Sequence, residues 1–172
     1  MQCRRATSAQ RGCASRCGLA IYESLAPQAV AALGALGRAV ADSGLDKQLT
    51  ELIKIRVSQI NGCAFCLQYH LNLARKLGTP VAKVDLVATW AEASIFSARE
   101  RAALAWAETL TTMATRPVGD AGFDELLLHF TMQEAAHLTA SIGQINAWNR
   151  IAGGLRFAPP IPAGHLPEEA GT

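Results

Sequence analysis

ELIKIRVSQINGCAFCLQYHLNLARKLG, residues 51–78, decides the fold class of this chain. Leu52, Ile55 and Gln59 fall on one face of a helix, and Ile53, Val57 and Ile60 fall on the adjoining face. That spacing predicts a helix from about Asp46 to Ile60. Asn61-Gly62 then breaks the chain, and a second helix is expected from Cys63 or Ala64 to about Leu77, where Gly78 supplies the stop. Two helices joined by so short a turn fold back on one another.

The same grammar extends in both directions. Pro27 opens a helix that ends at Asp42-Ser43-Gly44, and Thr79-Pro80 starts another through Val84 and Trp90. Ser97-Ala98-Arg99-Glu100 and Thr131-Met132-Gln133-Glu134 fit the capping box, in which hydroxyl and carboxylate satisfy orphan amides at a helix start. They predict helices from about Ala98 to Met113 and from Met132 to about Ile151, with a shorter one near Phe123 to His129. No stretch reads as a strand, and no internal repeat persists. The expectation is an all-α compact bundle of about six to eight helices. Residues 1–19 read as a disordered leader, 20–157 as one helical domain, and 158–172, APPIPAGHLPEEAGT, as a flexible tail.

Composition narrows the function. Half of the 172 residues are hydrophobic and 17% are charged, as in a chain with a real core. The net charge of +2 rests on Arg4, Arg5, Arg11 and Arg16; without them 12 basic and 14 acidic residues remain. A slightly acidic body offers no footprint for nucleic acid, and every apolar run is cut by polar groups well short of a bilayer span. Cys3, Cys13 and Cys17 sit in the leader, so the body carries a lone pair, Cys63 and Cys66. That usage reads as cytoplasmic, with the pair serving chemistry or metal.

At 100° per residue, Cys63, Cys66 and His70 share one stripe of the helix that Cys63 opens. Unpaired amides and the positive end of the helix dipole favour a thiolate there. His70, four residues beyond Cys66, can act as its base, and a base needs an orienting partner. With the two helices antiparallel, Glu51 stands about 13 Å before the turn and His70 about 10 Å beyond it, which brings them level. The result is a relay Glu51, His70, Cys66, with Cys63 able to close a disulfide on Cys66. Such a set suits peroxide reduction: a thiolate becomes a sulfenic acid, the second thiol condenses with it, and a dithiol resets the pair.

Glu51, eleven residues, Cys63-Ala64-Phe65-Cys66, three residues and His70 resemble the core motif of the alkylhydroperoxidase D-like branch of the carboxymuconolactone decarboxylase superfamily. ELIKIRVSQINGCAFC, FSARERAALAWAE and INAWNRIA are similar to segments of that branch, so the likeness runs from about Leu25 to Phe157. It implies an all-α fold, a trimeric or hexameric homo-oligomer, no cofactor, and thiol-dependent reduction of an organic hydroperoxide. By resemblance Cys66 attacks, Cys63 resolves, His70 and Glu51 relay the proton, and a dithiol or lipoyl-type reductant recycles the pair. One departure stands out: founding members carry histidine immediately before the second cysteine, where this chain has Phe65.

Plainer readings stand beside this one. Cys63, Cys66, His70 and Glu51 could hold zinc, although closed zinc sites usually draw on a second Cys/His pair that the body lacks. The thiols could be inert, and Glu51 could simply pair with Lys54. A c-type haem needs histidine where Leu67 stands, and a thioredoxin-type site needs a βαβ pattern. His129, His137 and His165 read as surface or tail, and Tyr69, Trp106 and Trp148 as packing; Asn146, Asn149 and Arg150 either satisfy buried backbone groups or line a subunit contact, the second being favoured. The alternative functions are a decarboxylase-like enzyme on a small carboxylated substrate and a non-enzymatic redox-sensing or metal-binding oligomer.

Overall fold

A computed structural model describes residues 15–163. Among these residues the chain forms eight α-helices and no strand. They are α1 (Leu19–Leu25), α2 (Pro27–Ala41), α3 (Lys47–Ile60), α4 (Ala64–Lys76), α5 (Val81–Leu86), α6 (Ala98–Thr111), α7 (Asp120–Leu127) and α8 (Met132–Leu155), with a 3₁₀ turn at Val87–Thr89.

Helix α3 is the axis of the bundle. Asp46 caps it by accepting the Leu49 N–H at 2.7 Å, and it packs against α4, α6 and α8. Leu52, Ile53, Ile55 and Val57 have no exposed surface, because both apolar faces read from the sequence are covered. Each such side chain contributes about 1.5–3 kcal/mol by leaving water. Helix α2 crosses α8 closely because Gly37 has no Cβ: one placed there would strike the Gln144 amide, which donates to the Leu33 carbonyl at 2.6 Å.

Both capping boxes form as expected. Ser97 Oγ accepts the Glu100 N–H at 3.2 Å while Glu100 Oε2 accepts the Ser97 N–H at 2.8 Å, and Thr131 and Glu134 repeat the pattern. Three boundaries differ from the sequence reading. The helix expected through Trp90 ends at Leu86 and tightens into the 3₁₀ turn Val87–Thr89; beyond it the Arg101 guanidinium satisfies the carbonyls of Trp90, Ala91 and Ala93. Helix α8 runs on to Leu155 through Gly153-Gly154 and ends at Arg156, whose φ of 53° turns the chain. Helix α1 lies at the edge of the expected leader, and Tyr22 packs on Trp148 and Phe157. The backbone N–H groups of Arg16 and Cys17 both donate to the Leu155 carbonyl, fastening the chain before α1 to the end of α8.

No single described helix is long and apolar enough to cross a membrane; α1 and α2 meet that test only as a pair, bent by 106°.

Candidate active site

The turn after α3 builds the site. Gly62 takes φ +64°, a conformation that costs an L side chain, and the Cys63 N–H returns to the Ser58 carbonyl at 3.0 Å. Cys63 therefore becomes the N-cap of α4, its sulfur accepting the Cys66 N–H at 3.3 Å. One helical turn brings Cys66 Sγ to 2.6 Å from Cys63 Sγ, with both thiols free and buried. At that separation the sulfurs are joined by one hydrogen bond.

The hydrogen bond from Cys66 holds the Cys63 thiol down at about 7, against an ordinary 9.0. Burial opposes this, while the Cys66 amide, the Asn149 side chain and the Phe65 amide add to it. Cys66 is pushed well up, first by the same hydrogen bond and then by burial. The pair thus gives up one proton readily and holds the second.

His70 follows on the next turn, and its Nδ1 lies 2.6 Å from Glu51 Oε2. The other carboxylate oxygen, Oε1, takes the Lys54 ammonium at 2.9 Å, so both partners read for Glu51 are realised together. Burial raises the Glu51 carboxyl, but the hydrogen bond and charge of His70 and the charge of Lys54 outweigh it and leave the group below 4.5. An ionised carboxylate only accepts, so Nδ1 carries the hydrogen. In the neutral ring Nε2 is then the basic nitrogen.

Asn149 is a polar residue buried inside the bundle. It is buried on α8, donates to Ser58 Oγ at 3.1 Å, accepts from the Asn61 amide at 2.8 Å and also supports the Cys63 thiolate. Asn146 accepts from Asn61 as well, at 3.0 Å, and donates to Thr111 Oγ1 and the Ile142 carbonyl. These asparagines staple the α3–α4 turn to α8 within one chain, in keeping with the buried-partner reading of the two; Arg150 is exposed and donates to Asn146. A polar residue in an apolar helix, in register with Asn61, was the available signal.

Two chambers reach the pair. One of about 420 Å³ is lined by Cys66, His70, Lys54, Tyr69 and Trp148, with Arg38 of α2 also in its wall. The other, about 400 Å³, is lined by Cys63, Ala64, Ala152, Gly153 and Arg156. Phe65 lines both and packs on Tyr69 and Phe157. It replaces a titratable group with an apolar partition. Tyr69, expected to be a packing residue, is 46% exposed, whereas Trp106 is buried and donates to Thr139. His129 and His137 sit near the surface, beside Glu125 and the Gln133 carbonyl. Cys3, Cys13 and His165 lie outside the described residues, and among the described ones no group of three or more His, Cys, Asp or Glu is placed to hold a metal ion.

The carboxymuconolactone decarboxylase family model matches residues 27–109, which contain all four site residues. YdfG of Bacillus subtilis (strain 168) is 34% identical over 131 residues, 76% of this chain and 89% of that protein. A crystal structure from Agrobacterium tumefaciens, a protein of unknown function associated with antioxidant defence (AhpD), is 38% identical with a TM-score of 0.78, over 82% of this chain and 97% of that one. The alkylhydroperoxidase AhpD core of a peroxidase-related protein from Ralstonia eutropha JMP134 is 28% identical with a TM-score of 0.70, over 81% of this chain and 74% of that one. The chain belongs to the carboxymuconolactone decarboxylase family, in its alkylhydroperoxidase D-like branch.

Proposed function

We propose that this protein is a thiol-dependent peroxidase that reduces organic hydroperoxides, Cys66 attacking and Cys63 resolving. The observation that carries this reading is the 2.6 Å contact between two free thiols, one of which, Cys66, lines a chamber that also holds His70. At rest Cys63 is the thiol that ionises, so the proton on Cys66 first passes to Cys63, and the Cys66 thiolate formed in this way attacks the outer peroxide oxygen. The O–O bond breaks, the outer hydroxyl stays on Cys66 as a sulfenic acid, and the alkoxide leaves as the alcohol by taking from His70 Nε2 the proton that the thiol pair gave up on its first ionisation. Cys63 then displaces water from the sulfenic acid to form the disulfide, so one hydroperoxide consumes two thiols. Glu51 fixes the imidazole throughout and counters its positive charge.

A dithiol, for which a lipoyl-type carrier is one candidate, restores the pair. Stopped-flow consumption of cumene hydroperoxide with dithiothreitol tests the assignment: turnover is expected in the wild type and absent in Cys66→Ser, and unchanged turnover in that variant overturns it. The homo-oligomer, a trimer or hexamer, belongs to the same proposal. Leu128 and Met132, 74% and 62% exposed at the two ends of the short connection between α7 and α8, suit a covered face. Light scattering reads the assembly directly.

A second reading has one observation behind it. Arg38 and Lys54 line the larger chamber and suit a carboxylated substrate of a decarboxylase-like enzyme. On that reading Cys63→Ala/Cys66→Ala retains activity.

A further inference from the structure

The two sulfurs do not open onto the same space. Cys66 lines the larger chamber with His70, and Cys63 lines the smaller one at the C-terminal end of α8, with Phe65 as the shared wall. We propose that the pair is worked from two sides: hydroperoxide reaches Cys66 through the first chamber, and the aliphatic dithiol that restores the pair attacks Cys63 through the second. This rests on the peroxidase reading for its first half and on disulfide chemistry alone for its second.

Thiol–disulfide exchange places the attacking, central and leaving sulfurs close to a line. A nucleophile at Cys63 must therefore come from the side away from Cys66, and Cys63 faces a chamber that Cys66 does not share. The walls select the nucleophile. Gly62, Ala64, Ala152 and Gly153 leave an apolar space of about 400 Å³, suited to a slim aliphatic arm. Arg156 is the charged group in that wall, and its cation favours a thiolate over a thiol.

The steps balance. The dithiol's first thiolate bonds to Cys63 Sγ, the Cys63–Cys66 bond breaks, and Cys66 leaves as a thiolate beside His70, to be protonated from solvent. With Cys63 held in the mixed disulfide, no neighbouring thiolate opposes that charge. The second thiolate of the dithiol then attacks its own bound sulfur, releasing the Cys63 thiolate and a cyclic disulfide.

Gly153 offers a clean obstruction. It is helical, and a Cβ built on it meets nothing within 4 Å, so Gly153→Leu projects into the second chamber without displacing the core. Gly34→Leu does the same for the first, where the added Cβ meets only the flexible end of Arg38 at 3.4 Å. Each protein is oxidised with diamide, so that the reductive arm is independent of peroxidase activity, and then mixed with dithiothreitol. Gly153→Leu is expected to slow thiol release about tenfold while leaving oxidation by cumene hydroperoxide unchanged, and Gly34→Leu is expected to do the reverse.

A second measurement needs no variant. Diamide-oxidised wild type is treated with excess 2-mercaptoethanol, quenched with N-ethylmaleimide and peptide-mapped. Mercaptoethanol on Cys63 is expected; mercaptoethanol on Cys66, or reduction unaffected by Gly153→Leu, overturns the two-sided arrangement. Failure of cumene hydroperoxide to remove thiols from the wild type overturns the peroxidase reading instead, and the diamide arm still decides the chamber.

Discussion

Asn149 and the hydrogen bond between the sulfurs set the reactivity of the pair at the scale of single residues. The Asn149 amide has two hydrogens, one for Ser58 Oγ and one that supports the Cys63 thiolate. Asn149→Ala is expected to raise the first thiol ionisation above about 7 and to slow alkylation by iodoacetamide at neutral pH. Both changes are read from the pH dependence of the alkylation rate. In the wild type the rate at the peptide carrying Cys63 and Cys66 should climb with a midpoint of about 7, since the thiolate reacts and the thiol does not, and a single group should account for it there because Cys66 is pushed up. At position 65 the chain places a ring with no proton to give, so the proposed proton path on the Cys66 side rests on His70.

At the scale of elements, the site is a helix junction held by a turn. Gly62 at φ +64° lets α3 end, reverse and present Cys63 as a cap within three residues. Gly62→Ala is expected to destabilise the fold by about 1 kcal/mol in urea denaturation and to slow disulfide formation, since the turn sets the Cys63 position. By contrast, Leu52→Ala removes a side chain with no exposed surface from α3, and a loss of about 2–5 kcal/mol is expected without a change in the thiol ionisation. The helices that carry the site were legible because their signals are local: apolar period, Asn-Gly, and the hydroxyl-to-carboxylate spacing of the two capping boxes. Trp90 lies beyond its helix, where Arg101, eleven residues on, serves its carbonyl. Short-range pattern does not contain that bond. The same holds for Asn149, whose partners Ser58 and Asn61 stand about ninety residues away in the chain.

At the scale of the whole molecule, α3, α4 and α8 converge so that Glu51, His70 and the cysteines meet in a buried seam entered from two sides. The register of Glu51 with His70, argued from rise per residue, reappears as a 2.6 Å hydrogen bond. The two chambers could not have been read beforehand, because α1, α2 and the chain beyond α8 supply walls that no motif marks. Burial of the Glu51 pair also ties stability to acidity. Its carboxyl titrates below 4.5 in the fold, so its contribution is complete above that value and is lost as the pH falls through the lower folded one. Thermal melts between about pH 5 and pH 3 should therefore fall more steeply in the wild type than in Glu51→Gln, which is less stable at neutral pH by roughly 1–3 kcal/mol.

The central claim is that Cys66 meets the peroxide and Cys63 resolves it. It is tested most directly by treating Cys63→Ser with one equivalent of cumene hydroperoxide, adding dimedone, and locating the adduct by mass spectrometry. A sulfenic acid trapped on Cys66, with no such adduct on Cys63 when Cys66→Ser is treated alike, is the expected result. An adduct on Cys63 in Cys66→Ser, with none on Cys66 in Cys63→Ser, contradicts it.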